Sequence, residues 1–355
     1  MAYTTIDDPS AYLQTVLWSG SGSGQAITNG GNSDLQPDFV WIKKRAGGSA
    51  RAHGLYDSSR GVTKLLHSNT NGAESTQTAG LTAFGSDGFT VGSDDGVDGS
   101  GGTYVAWQWK ANGGTTTTND ASATSIGSID SVYQANTTAG FSIVTYTGTG
   151  STGTIAHGLG AVPKLIILKE RSSTSEWQVY HVGAGATKRL EFNLNNAATT
   201  TSGTWNDTTP TSTVFTVGTS GGVNENTQTY VAYCFAEKQG YSKFGSYTGN
   251  GNADGVFVYT GFKPAWIIQK RTNSSTDAHW HIFDVKRNTT NPRNTRLEGN
   301  NNFADSTGEG ADFLSNGFKL YEENDDINAS SGEYIYMAFA EHPFVSSEGV
   351  PTTAR

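Results

Sequence analysis

Cysteine is nearly missing from this sequence, since Cys234 is the single one among 355 residues. One cysteine cannot form an internal disulfide, and it excludes a metal site built from several cysteines. Because Cys234 lies inside the apolar run 230–235, we interpret it as a buried thiol and not as a nucleophile. The chain therefore offers neither a disulfide framework nor a cysteine-based active site.

Long apolar runs and basic stretches are missing as well. No segment approaches the ~20 apolar residues that a membrane-spanning helix needs, so we expect no insertion into a membrane. Residues 1–8 have neither the basic nor the apolar part of a signal peptide. We therefore expect a protein that is made in a cytoplasm and stays soluble, or that leaves it by lysis within a larger particle. The net charge of −9 and the scattered basic residues argue against a nucleic-acid partner.

Windows that favour long helices are also rare. The chain has 45 glycines, only 15% charged residues and 11% aromatic residues, a composition typical of strands joined by many turns. We therefore predict an all-β fold.

An internal repeat organises the chain. A proline followed by an apolar run that ends on a lysine occurs at 37–43, 163–169 and 264–270. Each copy is followed by a second strand-like run that begins with a tyrosine. The spacings between the two are nearly equal: Pro37 to Tyr104, Pro163 to Tyr230 and Pro264 to Tyr334. Each copy of the repeat is therefore about the size of a domain, which exceeds the roughly 20–50 residues of a solenoid repeat.

The repeat predicts three tandem antiparallel β-sandwiches of jelly-roll or lectin-like type. The predicted boundaries are a first repeat with its lead-in at 1–110, a linker rich in glycine, threonine and serine at 111–137, a second repeat at 138–238, a third repeat at 239–344 and a polar tail at 345–355. Because only a few residues separate the second and third repeats, we expect these two to pack closely and the first to be hinged.

Alternation within the proline-led run predicts the central strand of each repeat. Phe39 and Trp41 would lie on one face and Val40 on the other, and the two later copies alternate in the same way. The lysine that ends each run is predicted to mark the point where the strand reaches solvent. These lysines are Lys43, Lys169 and Lys270.

An aspartate with an arginine three residues later follows the next strand in two of the repeats. The pairs are Asp57 with Arg60 and Asp284 with Arg287. Because the second repeat lacks the pair, a local salt bridge that closes a turn is favoured over a role in catalysis or ligand binding.

Three aspartates in one loop are candidate calcium ligands, because hard cations prefer several carboxylates on a turning backbone. They are Asp94, Asp95 and Asp98. Their spacing is not that of an EF-hand, and an acidic loop without a cation is the alternative. His279 and His281 would share a strand face, which suits zinc. No third ligand is near them in sequence, so a pair that faces solvent is favoured.

The best candidates for carbohydrate binding lie in a polar loop, where Trp205 is followed by Asn206 and Asp207. Such a loop offers a ring to the C–H face of a sugar and polar groups to its hydroxyls. The alternative is that Trp205 packs the loop onto the sandwich. For catalysis, the chain has no G-x-S-x-G motif, and a glycosidase pair cannot be selected among 32 acidic residues. We therefore predict no catalytic residue and no enzyme.

Four segments carry a further pattern. They are Ile6-Asp7-Asp8-Pro9-Ser10, residues 32–43 (NSDLQPDFVWIK), residues 57–62 (DSSRGV) and residues 104–110 (YVAWQWK). They resemble an uncharacterised domain family of tailed bacteriophages, frequent in marine and cyanobacterial phages, whose members are usually described as tail fibre or virion structural proteins. The resemblance covers essentially the whole chain and is strongest in the first and third repeats.

This resemblance implies a virion location and a tail fibre or baseplate component that attaches to a host-surface glycan. Its partners would be other virion proteins and the glycan, and the protein would be a homo-oligomer, with a trimer common among fibres. The alternatives are a capsid decoration or tail adaptor protein with a purely structural role, and an enzyme that degrades host polysaccharide. No cofactor is implied beyond calcium at the three aspartates.

Overall fold

The computed structural model describes residues 2–276 and 278–352, and it confirms an all-β protein built from antiparallel sheets. The helical segments are single turns: a 3-10 helix at Pro9–Ala11 and the helices α1 (Ala121–Thr124), α2 (Ser202–Trp205), α3 (Gly221–Asn224) and α4 (Asp325–Asn328). Within these two ranges, no helix is long and apolar enough to cross a membrane.

The N-terminal part of the chain forms two facing sheets. Its strands are β1 (Leu13–Ser19), β2 (Gln25–Thr28), β3 (Phe39–Ala46), β4 (Gly54–Asp57), β5 (Lys64–Leu65), β6 (Ser75–Thr76), β7 (Leu81–Gly85), β8 (Gly88–Val91) and β9 (Thr103–Trp109). Sheet 1 has the order β1-β9-β3-β4, and β2-β8-β7 forms the facing sheet. Apolar side chains from both, among them Val40, Phe89 and Tyr104, form an outer core between them. This part is therefore sandwich-like.

The middle part of the chain forms a larger sheet and a separate strand pair. Its strands are β10 (Thr117–Asn119), β11 (Ser131–Asn136), β12 (Phe141–Thr147), β13 (Gly153–Ala156), β14 (Pro163–Glu170), β15 (Gln178–His181), β16 (Lys188–Glu191), β17 (Thr199–Thr200), β18 (Val214–Val217) and β19 (Thr229–Ala236). Sheet 2 has the order β10-β11-β12-β19-β14-β15-β16-β17, and β13 pairs with β18. A second outer core, which contains Ile166 and Phe215, lies between them.

The prediction of a linker at 111–137 is wrong, because β10 and β11 fall inside this segment and belong to sheet 2. β11 pairs with β12 along its whole length. Further upstream, the Asp38 carboxylate accepts hydrogen bonds from the backbone N–H groups of Ala111 and Gly114, each at 2.7 Å. Strands at the margin of a sheet can consist of small polar residues because one of their faces stays in solvent. Composition alone therefore did not separate a linker from such strands.

The C-terminal part of the chain forms sheet 3. Its strands are β20 (Ser242–Thr248), β21 (Phe257–Tyr259), β22 (Phe262–Arg271), β23 (His281–Asp284), β24 (Arg293–Glu298), β25 (Ser306–Leu314), β26 (Gly317–Leu320) and β27 (Glu333–Pro343). The order is β20-β27-β22-β23-β24-β25-β26-β21. The first four strands of this order occupy the places that β1-β9-β3-β4 occupy in sheet 1. A third outer core includes Ile267, Phe283 and Phe318.

The inner faces of the three sheets meet in one central core. Trp109 of sheet 1 packs edge-on against Trp266 of sheet 3, with ring centroids 5.5 Å apart, and against Phe235 of sheet 2 at 6.3 Å. Phe235 in turn packs against Phe339 of sheet 3 at 6.1 Å. The expectation of a hinged first repeat is therefore wrong, since its inner face is buried by both other sheets.

Alternation along the proline-led strands is as predicted, but their final lysines are not at the surface. Phe39 and Trp41 lie in the central core, whereas Val40 lies in the outer core. The prediction that the lysines mark the exit to solvent is wrong, because all three are 0% exposed. Each ammonium group donates hydrogen bonds to backbone carbonyls, which makes its burial tolerable. The three lysines are Lys43, Lys169 and Lys270.

The predicted pairs of aspartate and arginine are confirmed as local salt bridges, and they are buried. Arg60 contacts Asp57 through its Nε, and Arg287 contacts Asp284 in the same way at 2.5 Å, with all four side chains 0% exposed. Each pair lies at the end of a strand, β4 or β23, where the chain turns.

The ends of β4, β15 and β23 are also hydrogen-bonded to the neighbouring sheet. The contacts are Asp57 with the Tyr233 hydroxyl of sheet 2 (2.7 Å), His181 with the Tyr336 carbonyl of sheet 3 (3.0 Å) and Asp284 with the Trp107 indole N–H of sheet 1 (3.1 Å). These contacts form a closed cycle around the three sheets.

Candidate functional site

The prediction that Trp205 stacks on a sugar is wrong, because its side chain is buried. Trp205 is 1% exposed and packs edge-on against Tyr180 in the second outer core, with ring centroids 6.0 Å apart. It ends the short helix α2, whose first turn is capped by the Thr201 hydroxyl. The alternative, that this tryptophan packs its loop onto the sandwich, is the one that the structure supports.

Asn206 and Asp207, the other predicted glycan ligands, are exposed in the turn after α2. Both have a φ of 50°, which places them in the left-handed region that asparagine and aspartate tolerate. Their role is to reverse the chain so that Trp205 can reach the core. Without an exposed ring beside them, they form no sugar-stacking site.

The three candidate calcium ligands do not converge on one point. The Asp98 carboxylate accepts hydrogen bonds from the Ser21 hydroxyl (2.6 Å) and the Gly24 N–H (2.9 Å), which fold the loop after β1. Asp95 is paired with Lys44 at 2.7 Å. Asp94 accepts from its own turn, at the Gly96 N–H (2.8 Å).

These bonds occupy the oxygens that a cation would need. Hydrogen bonds to the carboxylate hold the pKa of Asp98 below its usual value against the effect of burial, so it is charged and satisfied by the protein. Among the residues that the structure describes, no group of three or more His, Cys, Asp or Glu side chains has the arrangement of a metal site. The calcium prediction is therefore wrong, as is the zinc alternative for the histidine pair.

A row of exposed aromatic side chains lies on the outer face of sheet 3, and we call it the aromatic strip. Its rings are those of Phe257, Tyr259 and Tyr321, which are 46%, 55% and 42% exposed. Phe257 and Tyr259 are alternate residues of β21 and so point to the same side of the sheet. Val258 between them enters the third outer core.

The neighbouring strand shapes the aromatic strip. Phe257 is paired with Lys319 and Tyr259 with Gly317. A Cβ atom at Gly317 would lie 2.1 Å from the Val258 carbonyl oxygen and 3.0 Å from two atoms of the Phe257 ring, so glycine allows both to approach β26 closely. The Lys319 ammonium group lies 5.3 Å from the centroid of the Tyr321 ring.

Polar groups surround the rings of the aromatic strip. Lys319 is held by the Asp254 carboxylate at 2.6 Å, and Asp312 faces Lys319 across the next strand pair. Partial burial and the charge of Asp312 raise the pKa of Tyr321, so its hydroxyl keeps its proton. Flat apolar rings beside fixed donors and acceptors are the combination that binds the C–H face and the hydroxyls of a sugar.

A polar pocket of about 360 Å³ lies elsewhere on sheet 3, and we call it the histidine–carboxylate pocket. The side chains that line it include His279, Arg296, Glu298, Phe303 and Asp326. His279 Nδ1 is 3.6 Å from a Glu298 oxygen.

The preference for a solvent-facing histidine pair is wrong, because His281 is 0% exposed. Its Nε2 lies 3.5 Å from Asp326 Oδ1. Burial alone would raise the pKa of Asp326, but the His281 imidazole, with further charge from His279 and Arg296, holds it below its usual value. Asp326 is therefore a carboxylate at neutral pH.

Sequence reasoning missed both surfaces for identifiable reasons. The aromatics of β21 look like the core aromatics of the other strands, and only the strand's marginal place in the sheet exposes them. The alternation Phe257-Val258-Tyr259 was the available signal. Asp326 is far from His281 in sequence, and the fold of α4 over the end of sheet 3 brings them together.

These features define an all-β protein of antiparallel sheets around one central core, with an exposed aromatic strip and a polar pocket on its third sheet. The chain belongs to the family described as a domain of unknown function (DUF7483), which matches residues 8–343. No curated protein matches the chain.

Proposed function

We propose that this protein is a bacteriophage virion component of the tail fibre or baseplate that contributes to attachment to a host-surface glycan. The phage context rests on the resemblance of residues 6–10, 32–43, 57–62 and 104–110 to a phage domain family. Binding without catalysis is the function that we assign to the chain. Its partners would be the glycan and other virion proteins.

The aromatic strip carries the proposal of glycan binding. Phe257, Tyr259 and Tyr321 expose large rings on one face, where an isolated protein would expose them only at a free-energy cost. Sugars bury such rings and use the nearby carboxylates and ammonium group for their hydroxyls. We therefore still propose glycan binding, but we assign it to the aromatic strip of sheet 3 and not to the loop that contains Trp205.

We also propose that the architecture consists of three tandem sandwich units of jelly-roll or lectin-like type, fused around the central core. The common strand order β1-β9-β3-β4, β12-β19-β14-β15 and β20-β27-β22-β23 supports this proposal. The nearly equal spacing between each proline-led run and the tyrosine-led run that follows it supports it as well. A homo-oligomer, commonly a trimer in fibres, would present several strips to a polysaccharide at once.

Binding of purified protein to a glycan array, and to envelopes of marine bacteria including cyanobacteria, tests the function. The double variant Phe257→Ser/Tyr259→Ser should bind about 5- to 150-fold more weakly, because stacking contributes roughly 0.5–1.5 kcal/mol per ring. Leu17→Ser is the matched control, since Leu17 is an exposed apolar residue of sheet 1 at 37%. The proposal fails if the wild type binds no glycan and no envelope.

Imaging of labelled protein on the virion separates this function from the structural alternative. A tail location supports attachment, whereas a capsid location would favour a decoration protein. Incubation with host polysaccharide separates binding from hydrolysis, since only an enzyme would release reducing ends.

A further inference from the structure

The histidine–carboxylate pocket lies on the third sheet. The residues at the corresponding positions of the other repeats are small or differ in chemistry. His279 corresponds to Ala52 in the first repeat and to Glu176 in the second. His281 corresponds to Gly54 and Gln178, and Asp326 corresponds to Gly96 and Gly222. The polar groups of the pocket are therefore not required by the strand arrangement that the sheets share.

Asp326 is a buried acceptor with unused capacity. Its side chain lines the pocket, and the residue is only 7% exposed. Its contacts with neighbouring nitrogens are long, since His281 Nε2 lies 3.5 Å from Oδ1 and Arg296 Nη1 lies 4.0 Å from Oδ2. A carboxylate that has only long contacts with its neighbours keeps capacity to accept a hydrogen bond from a ligand hydroxyl at the pocket.

His279 supplies a donor at the same pocket. The Asn300 side-chain carbonyl accepts from the Trp280 backbone N–H at 3.0 Å, which fixes the orientation of the amide. The Asn300 amide N–H therefore donates to His279 Nδ1 at 2.9 Å. In the neutral imidazole the proton is then on Nε2, so His279 can donate a hydrogen bond.

Phe303 adds an apolar surface to these polar groups. Its ring lines the pocket and is 65% exposed. The pocket thus combines carboxylate acceptors at Asp326 and Glu298, a donor at His279 and one aromatic face. Its volume of about 360 Å³ lies within the roughly 300–1,000 Å³ of small-molecule sites. A pyranose fits this set, since its hydroxyls donate and accept while its C–H face stacks on an aromatic ring.

We infer that the histidine–carboxylate pocket binds one neutral monosaccharide unit, with hydroxyls donating to Asp326 and Glu298 and with its C–H face against Phe303. An acidic sugar is disfavoured because, among the described residues that line the pocket, the two carboxylates outnumber the one arginine, Arg296. The inference rests on the proposed function only in taking the ligand to be a glycan. The pocket would recognise a single sugar unit, whereas the aromatic strip would contact a chain from the side.

Titration of the full-length protein with a panel of free neutral monosaccharides, followed by NMR of the histidine ring protons, tests this site. The His279 signal, assigned with His279→Gln, should shift for at least one sugar. Asp326→Asn should raise the dissociation constant of that sugar at least about tenfold, and Phe303→Ala should raise it about two- to tenfold. Phe303 is exposed, so its variant keeps the test valid if the Asp326 variant does not fold. Leu17→Ser, which replaces an exposed apolar residue outside both the pocket and the aromatic strip, should leave the dissociation constant unchanged.

The inference is overturned if no sugar of the panel shifts the His279 signal, or if Phe303→Ala binds as the wild type does. Its failure is distinguishable from that of the proposed function. Suppose that Phe257→Ser/Tyr259→Ser loses envelope binding and that no sugar shifts the His279 signal. The proposed function would then be supported, and this inference would be overturned. If a sugar binds at the pocket but the protein binds no glycan on the array and no envelope, this inference would be supported and the proposed function would fail.

Discussion

At the scale of single residues, the buried lysines at the ends of the proline-led strands are important for how the sheets are joined. The Lys270 ammonium group donates to the carbonyls of Ala278 (2.5 Å), Arg271 (3.0 Å) and Asn195 (3.1 Å). Asn195 lies between β16 and β17, two strands of sheet 2. In a similar way, Lys43 of sheet 1 donates at 3.1 Å to the carbonyl of Asn302, which lies between β24 and β25 of sheet 3. One charged group therefore ties a strand end, its own loop and a neighbouring sheet together.

The variant Lys270→Met should lower the free energy of unfolding by about 2–3 kcal/mol, because it leaves buried carbonyls without a donor. Urea denaturation followed by tryptophan fluorescence measures the change. Lys286→Met is the control, since Lys286 is exposed and its replacement should change the free energy by less than about 0.5 kcal/mol. Equal effects of the two substitutions would contradict this role of Lys270.

The stability contributed by Lys270 should also depend on pH. Burial lowers its pKa from 10.5 to about 7, so between these values the unfolded chain binds more protons at this residue than the folded protein does. The free energy of unfolding of the wild type should therefore rise with pH relative to Lys270→Met, by at most about 1.4 kcal/mol per pH unit. Urea denaturation of both proteins at about pH 7 and about pH 9 measures this difference. A difference that stays flat or falls would contradict the assignment.

At the scale of elements, β4, β15 and β23 connect the three sheets. Each ends on a buried polar side chain that is hydrogen-bonded to the next sheet. In β23, Asp284 accepts from Arg287 and from the Trp107 indole, while the Arg287 guanidinium also lies 5.5 Å from the centroid of the Trp107 ring. The turn after the strand and the contact with sheet 1 therefore depend on the same pair.

The variant Arg287→Met should lower the free energy of unfolding by about 3–5 kcal/mol, because it leaves Asp284 as a buried charge without its partner. Arg51→Met is a suitable comparison, since the pair of Arg51 with Asp95 is exposed and should contribute less than about 1 kcal/mol. Chemical denaturation of both variants measures the contrast. If Arg287→Met were as mild as Arg51→Met, the pair would not anchor β23.

At the scale of the whole molecule, the central core makes the three sheets interdependent. Phe39 of sheet 1 lies 4.4 Å from Tyr233 of sheet 2, and Trp41 lies 5.5 Å from Phe192, measured between ring centroids. Removing one sheet would expose this aromatic surface of the other two, and burial of such surface is the main source of folding free energy.

Calorimetric unfolding of the full chain should therefore show a single cooperative transition. The fragment 138–344 should not fold by itself, and its NMR spectrum should lack the dispersion of a native protein. Two separate transitions, or a stable fragment with its own cooperative unfolding, would show that the first repeat is independent of the others.

The sequence by itself determined the fold class, the central strands and their two faces, because alternation of side chains is a local property of the chain. It also determined the salt bridges of Asp57 and Asp284, whose partners are three residues away. Only the tertiary structure decided which aromatic side chains are exposed. Trp205 in a polar loop is buried, whereas Phe257 in a strand is exposed, because β21 lies at the margin of sheet 3. It also decided that Asp326 meets His281, since that contact depends on how distant segments pack and not on sequence spacing.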